Sequence, residues 1–76
     1  MDASKLSDQQ IAQAIEEETG VLNGLVKYQN YLASGRGLPK NDTSRIQLME
    51  SNVKIGVKLR GEIDLLMAEQ NKRMAN

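Results

Sequence analysis

Apolar residues recur through the first half of the chain at Ile11, Ala14, Ile15, Val21, Leu22, Leu25, Val26, Tyr28 and Leu32. At about 100° per residue they fall within one arc of about 160°, the stripe of an amphipathic helix. The stripe keeps its phase through Gly20 and Gly24, although each glycine costs about 1 kcal/mol against alanine inside a helix. One helix over about residues 7–33 is therefore expected. Its start is written locally. Ser7 as N-cap with Gln10 at N3 makes a capping box, and Leu6 and Ile11 take the positions of a hydrophobic staple.

The second half carries a wider apolar set, predicting a helix over about residues 43–73. Leu48, Ile55, Leu59 and Leu66 form one stripe, and Ile46, Met49, Val53, Val57 and Met67 form another. Ile63 lies between them. Leu65 falls outside. The two stripes span about 200°, more than one antiparallel neighbour buries. Between the helices, Gly35 or Gly37 suits the left-handed residue that closes a helix. Pro39 biases Leu38 away from helix, and Asn41 or Asp42 caps the next one. The expected fold is all-α. It is a single domain over 1–76, an antiparallel two-helix hairpin that self-associates into a helical bundle. Leu48, Met49, Val53, Ile55, Val57, Leu59 and Leu66 are the candidate interface. Gly56, inside the same arc, suggests the close approach of another helix. Arg73 and Met74 fall in an end expected to fray.

Polar residues interrupt both stripes: Glu18 and Gln29 in the first helix, Asn52 and Arg60 in the second. With the turn near residue 38, simple reflection sets Glu18 opposite Lys58. Lys58 points to the polar side whereas Arg60 points inward, so a Glu18–Arg60 ion pair is expected, within the hairpin or across a dimer. Such a pair fixes register or partner choice more than it stabilises. Asn52 suits a similar role.

Composition narrows the chemistry. Among 76 residues there is neither cysteine nor histidine, so disulfides, thiolate–metal sites, the usual general base and the usual triads are excluded. Glu16, Glu17 and Glu18 point three ways around a helix, and Glu62 and Asp64 face apart, so no carboxylate pair forms within one helix. Neither an enzymatic activity nor a cofactor is expected. No run approaches the roughly 18 apolar residues of a membrane span. The N-terminus lacks a basic region followed by an apolar stretch, so a cytoplasmic location is expected. Ten basic and ten acidic side chains give zero net charge, which argues against bulk nucleic-acid binding. The halves differ, however: residues 1–38 hold three basic and five acidic groups, residues 39–76 seven and five, and opposite signs attract across a hairpin.

The linker is the other candidate for function. Arg36, Gly37 and Lys40 precede a helix whose first turn carries Thr43, Ser44 and Arg45. Glycines free backbone N–H groups, a helix N-terminus favours anions, and arginine grips phosphate with two nitrogens. Tyr28 and Tyr31 lie one to two turns upstream, where they could stack on a base. The plain alternative is a polar connection that only turns the chain. In outline, these features resemble small phage helical-hairpin proteins. Among them are the phage anti-CBASS sponges, short oligomeric helical proteins that sequester cyclic oligonucleotide signals without cleaving them. The residue pattern itself points first to stoichiometric binding of a protein partner, as inhibitor or adaptor, by a homo-oligomer. The resemblance implies the alternative, a phage anti-defence sponge for a nucleotide-like anion held at the Gly-Arg-Gly loop.

Overall fold

A computed structural model of the chain describes residues 2–35 and 41–75. Helix α1 runs from Asp8 to Ser34, unbroken through Gly20 and Gly24. The capping box forms: Ser7 Oγ accepts the Gln10 N–H at 3.1 Å, and Gln10 Oε1 accepts the Ser7 N–H at 2.9 Å. Gly35 closes α1 in the left-handed conformation, φ 70°, and its N–H donates to the Leu32 carbonyl. A side chain there would carry strain, which is why glycine stands at this cap. Helix α2 runs from Asp42 to Met74, and the Asn41 side chain accepts the Ser44 N–H at 3.1 Å. Its 33 residues, at about 1.5 Å each, set the long dimension of a rod measuring 52 × 16 × 16 Å.

The two helices pack against each other as the expected hairpin. The enclosed and half-buried positions of α1 include Ile11, Ile15, Glu18, Leu22, Leu25, Gln29 and Leu32, in alternating steps of four and three. Those of α2 include Arg45, Met49, Asn52, Gly56, Leu59, Ile63, Leu66, Gln70 and Arg73, in the same alternation. That spacing is the seam of a coiled coil. The apolar side chains most fully enclosed are Ile11, Leu32, Ile63 and Leu66. The seam cuts between the two apolar stripes of α2. It takes Leu59 and Leu66 from one and Met49 from the other. Leu48 and Ile55 remain on one side, and Ile46, Val53 and Val57 on the other.

The register departs from simple reflection about residue 38. Leu22 lies beside Gly56 and Glu18 beside Glu62, two and four residues further along α2 than reflection gives. Side chains lean toward the N-terminus of their own helix, so each covers a spot about one residue before its Cα. In an antiparallel pair the two leans add, which accounts for a shift of about two. Long glutamate side chains reach the rest.

One element was not legible in advance. Ala3–Lys5 form a turn of 3₁₀ helix, capped by Asp2, whose Oδ1 accepts the Ser4 N–H at 3.2 Å and the Ser4 hydroxyl at 2.6 Å. Arg73 ties this turn to the hairpin. Its guanidinium donates to Asp8 Oδ1 at 2.8 Å, Glu69 Oε1 at 3.0 Å, and the Ala3 and Ser4 carbonyls at 3.4 and 3.2 Å. The expectation of a fraying end at Arg73 is thereby corrected.

Candidate functional site: polar seam and two apolar faces

The expected Glu18–Arg60 pair does not form within the hairpin. Arg60 lies off the seam line of α2, its side chain 70% exposed, and meets Asp64 at 3.5 Å one turn along its own helix. Glu18 instead faces Glu62. A hydrogen bond between the two carboxyl groups, then partial burial, then repulsion from the Glu62 and Glu17 charges, all hold the Glu18 carboxyl above its ordinary value of 4.5. Its Oε2 is buried without a hydrogen-bond partner. A carboxyl pair therefore does exist, but between helices. Residues 44 positions apart carry no spacing signal in a sequence.

Nearer the turn, the seam holds a second polar pair. Asn52 is buried and Gln29 half-buried. Asn52 Nδ2, a donor, and Gln29 Oε1, an acceptor, are both buried without partners, and both residues line one cleft with Leu22, Leu25, Val26 and Val53. Gly56 shares this cleft. A Cβ built there would lie 3.7 Å from Leu22 Cδ1, an ordinary contact. The hairpin therefore makes no demand for glycine at 56, which corrects the close-approach expectation for the α1–α2 packing.

Outside the seam lie two apolar faces. On one side Val26, Val53 and Val57 line a groove between the helices together with Leu22 and Gly56. Ile46 and Met49 extend it toward the turn. Val26 and Val53 are each 53% exposed and Val57 is 69% exposed. On the other side of the seam, helical spacing places Val21 and Tyr28 of α1, and Leu48 and Ile55 of α2, seven residues apart in each case. All four are exposed. Of the interface candidates, Leu66 is therefore spent on the core and Leu59 is half-buried in the seam. Leu48, Val53, Ile55 and Val57 stay available.

Of the expected anion site, Arg36, Gly37 and Lys40 lie outside the described residues. Thr43 is exposed and Ser44 half-buried. Arg45 Nη2 pairs with Asp42 Oδ1 at 2.9 Å, and its Nη1 stands 3.1 Å from where a Cβ of Gly35 would be. The guanidinium thus folds over the C-terminal cap of α1. Tyr28 and Tyr31 are both exposed. Among the described residues no group of three His, Cys, Asp or Glu side chains is placed to hold a metal ion. No helix there is long and apolar enough to cross a membrane.

Comparison with known protein families, with curated proteins and with solved structures found no match for this chain.

Proposed function

We propose that the chain works without turnover, as a cytoplasmic helical module that binds a protein partner stoichiometrically in the manner of an inhibitor or adaptor. One observation carries this reading. Among the described residues, four hydrophobic side chains are buried while twelve large ones stay exposed, so much of the hairpin's apolar surface is left uncovered. Exposed apolar patches of this kind mark interaction surfaces. The partner's place is the face of Val21, Tyr28, Leu48 and Ile55, which combines aliphatic area with an aromatic ring, the usual chemistry of an interface centre.

The test is a photo-crosslinking amino acid placed at 55 in the cells that make the protein. One discrete foreign protein should be captured in fixed ratio, and Tyr28→Asp should abolish the capture. Adducts with copies of the chain alone, or capture that survives Tyr28→Asp, would overturn the reading.

A second reading is sequestration of a nucleotide-like anion near residues 36–45, in a phage anti-defence role. It is supported by the Arg45 guanidinium beside the N-terminus of α2 and by the resemblance drawn above. A cyclic dinucleotide should then raise the melting temperature in proportion to its saturation, and Arg45→Ala should remove the rise. No rise at saturating concentrations across cyclic di- and trinucleotides would eliminate it.

A further inference from the structure

The hairpin uses one heptad series of α2 for its own seam. A second complete series runs beside it: Ile46, Glu50, Val53, Val57, Arg60 and Asp64, ending at Met67. Its steps again alternate between four and three, the spacing of a coiled-coil contact line. Every member is exposed. Beyond the partner-binding face, we propose that the series pairs with itself on a second copy, antiparallel, about a two-fold axis at the level of residue 55.

The order of residue types supports a copy as the occupant. The four central positions are symmetric about that level, while further out Ile46 falls opposite the partner's Asp64. An antiparallel copy sets Val53 against the partner's Val57, and Glu50 against the partner's Arg60, and the two-fold axis repeats both pairings. A heptad line permits other registers only in steps of seven residues. One such step joins Ile46 to the partner's Val57 but sets Val53 against the partner's Glu50. The opposite step sets Val53 against the partner's Asp64 and Val57 against the partner's Arg60. Only the centred register joins valine to valine and acid to base. Arg60 pairs with Asp64 across 3.5 Å between exposed side chains, a contact worth little in water and easily shared with a second carboxylate. Val26 and Leu22 line the same groove from α1, so the incoming helix rests on both helices. The product is a four-helix bundle.

The experiment is sedimentation equilibrium and native mass spectrometry of the full chain at micromolar concentration. The expected mass is two subunits. Val57→Glu should give a monomer of unchanged helical circular dichroism, because Val57 is already 69% exposed. Ile55→Glu, on the other side of α2, should leave the dimer intact. Glu50→Arg and Arg60→Glu should each raise the dissociation constant about tenfold, and the double swap should restore it, since like charges opposed across an interface repel. The swap decides the matter even should Val57→Glu fail to fold. A monomeric wild type, a dimer that survives Val57→Glu, or a double swap no better than the single changes would overturn the proposal. The two readings fail separately. A dimer from which position 55 captures no foreign protein keeps the pairing and loses the partner. A monomer from which position 55 still captures one does the reverse.

Discussion

The two ends of the hairpin are built to different standards. At the end where the termini meet, Ile11, Ile63 and Leu66 are almost wholly enclosed, and Arg73 joins both helices and the 3₁₀ turn through four acceptors. In the half nearer the turn, Leu32 alone among the described apolar residues is comparably enclosed. There the seam carries Gln29 and Asn52 with unsatisfied amide atoms, and the apolar residues Val26, Val53 and Val57 face outward. Burial of apolar area is the main favourable contribution to a fold this small. The terminal half therefore encloses more of its apolar side chains within one chain, although Leu65, Met67 and Met74 stay exposed there and Glu18 Oε2 lacks a partner. The other half leaves its apolar surface for something else to cover.

The most forceful way to test that contrast is to remove a packed side chain from each half. Leu66 is fully enclosed, and Leu66→Ala should cost about 3 kcal/mol through lost burial and the cavity left behind. Met49, only half-buried in the other half, should cost markedly less on truncation. Denaturant melts of the two variants compare them directly. Equal losses would mean that the halves are equally well packed.

The polar clamp gives the next largest effect. Arg73→Ala should destabilise measurably, because it strips several charge-assisted hydrogen bonds and leaves Glu69 without its partner. Hydrogen exchange should accelerate over the 3₁₀ turn and the first turns of α1, while the amides around Leu32 stay protected. Uniform acceleration along α1 would show that the clamp holds the whole hairpin and not one end of it.

Much of this architecture was legible in the sequence, and the reasons differ by element. The capping box at Ser7 and the cap at Asn41 are local signals, so they were read directly. The hairpin followed from the phase of the apolar stripes, which a single helical period carries. Pairings across the seam were not legible to within a turn. Reflection gave Lys58 opposite Glu18, and Arg60 was preferred because helical phase points it inward, whereas Arg60 lies off the seam and Glu62 faces Glu18, so a carboxyl pair stands within the hairpin where an ion pair was expected. Arg73 was missed for a related reason: its partners Ala3, Ser4 and Asp8 lie at the far end of the chain. Asp2 is a usable cap for the 3₁₀ turn, but a three-residue element carries no periodicity to confirm it. The anion site at Arg36, Gly37 and Lys40 rests on residues outside those described.

A smaller change addresses the unfinished half in the opposite direction. Asn52→Leu removes an unpartnered buried amide from a seam position and should stabilise the chain by about 1 kcal/mol. A polar residue at such a position also fixes register, so the gain should come with a loss of uniqueness, seen as broadened or doubled amide resonances around Leu25 and Gln29. A leucine variant that is less stable, with sharp spectra, would show that the amide is satisfied in solution and contributes directly.

The smallest effect concerns protons, and its sign separates Glu18 from the rest of the seam. Folding raises the Glu18 carboxyl above its ordinary value, chiefly through the hydrogen bond with Glu62, so the folded chain holds this proton more tightly than the unfolded one. The resulting stabilisation is complete below the ordinary value of 4.5 and is lost as pH rises through the raised one. Asp2 at the clamped end behaves oppositely. The Ser4 hydroxyl and N–H hold its carboxyl below the ordinary value, so its contribution is present at neutral pH and is lost in acid. Glu18→Gln keeps a hydrogen-bonding side chain beside Glu62 and removes the titration. At neutral pH it should stabilise by about 0.5 kcal/mol, and the advantage should vanish on acidification toward the range where the wild-type Glu18 is protonated. Melting temperatures of both chains across that range measure the difference, in which every other titrating group cancels. A constant offset with pH would mean that Glu18 meets water and not Glu62, and the seam would then lose the one carboxyl pair that its register creates.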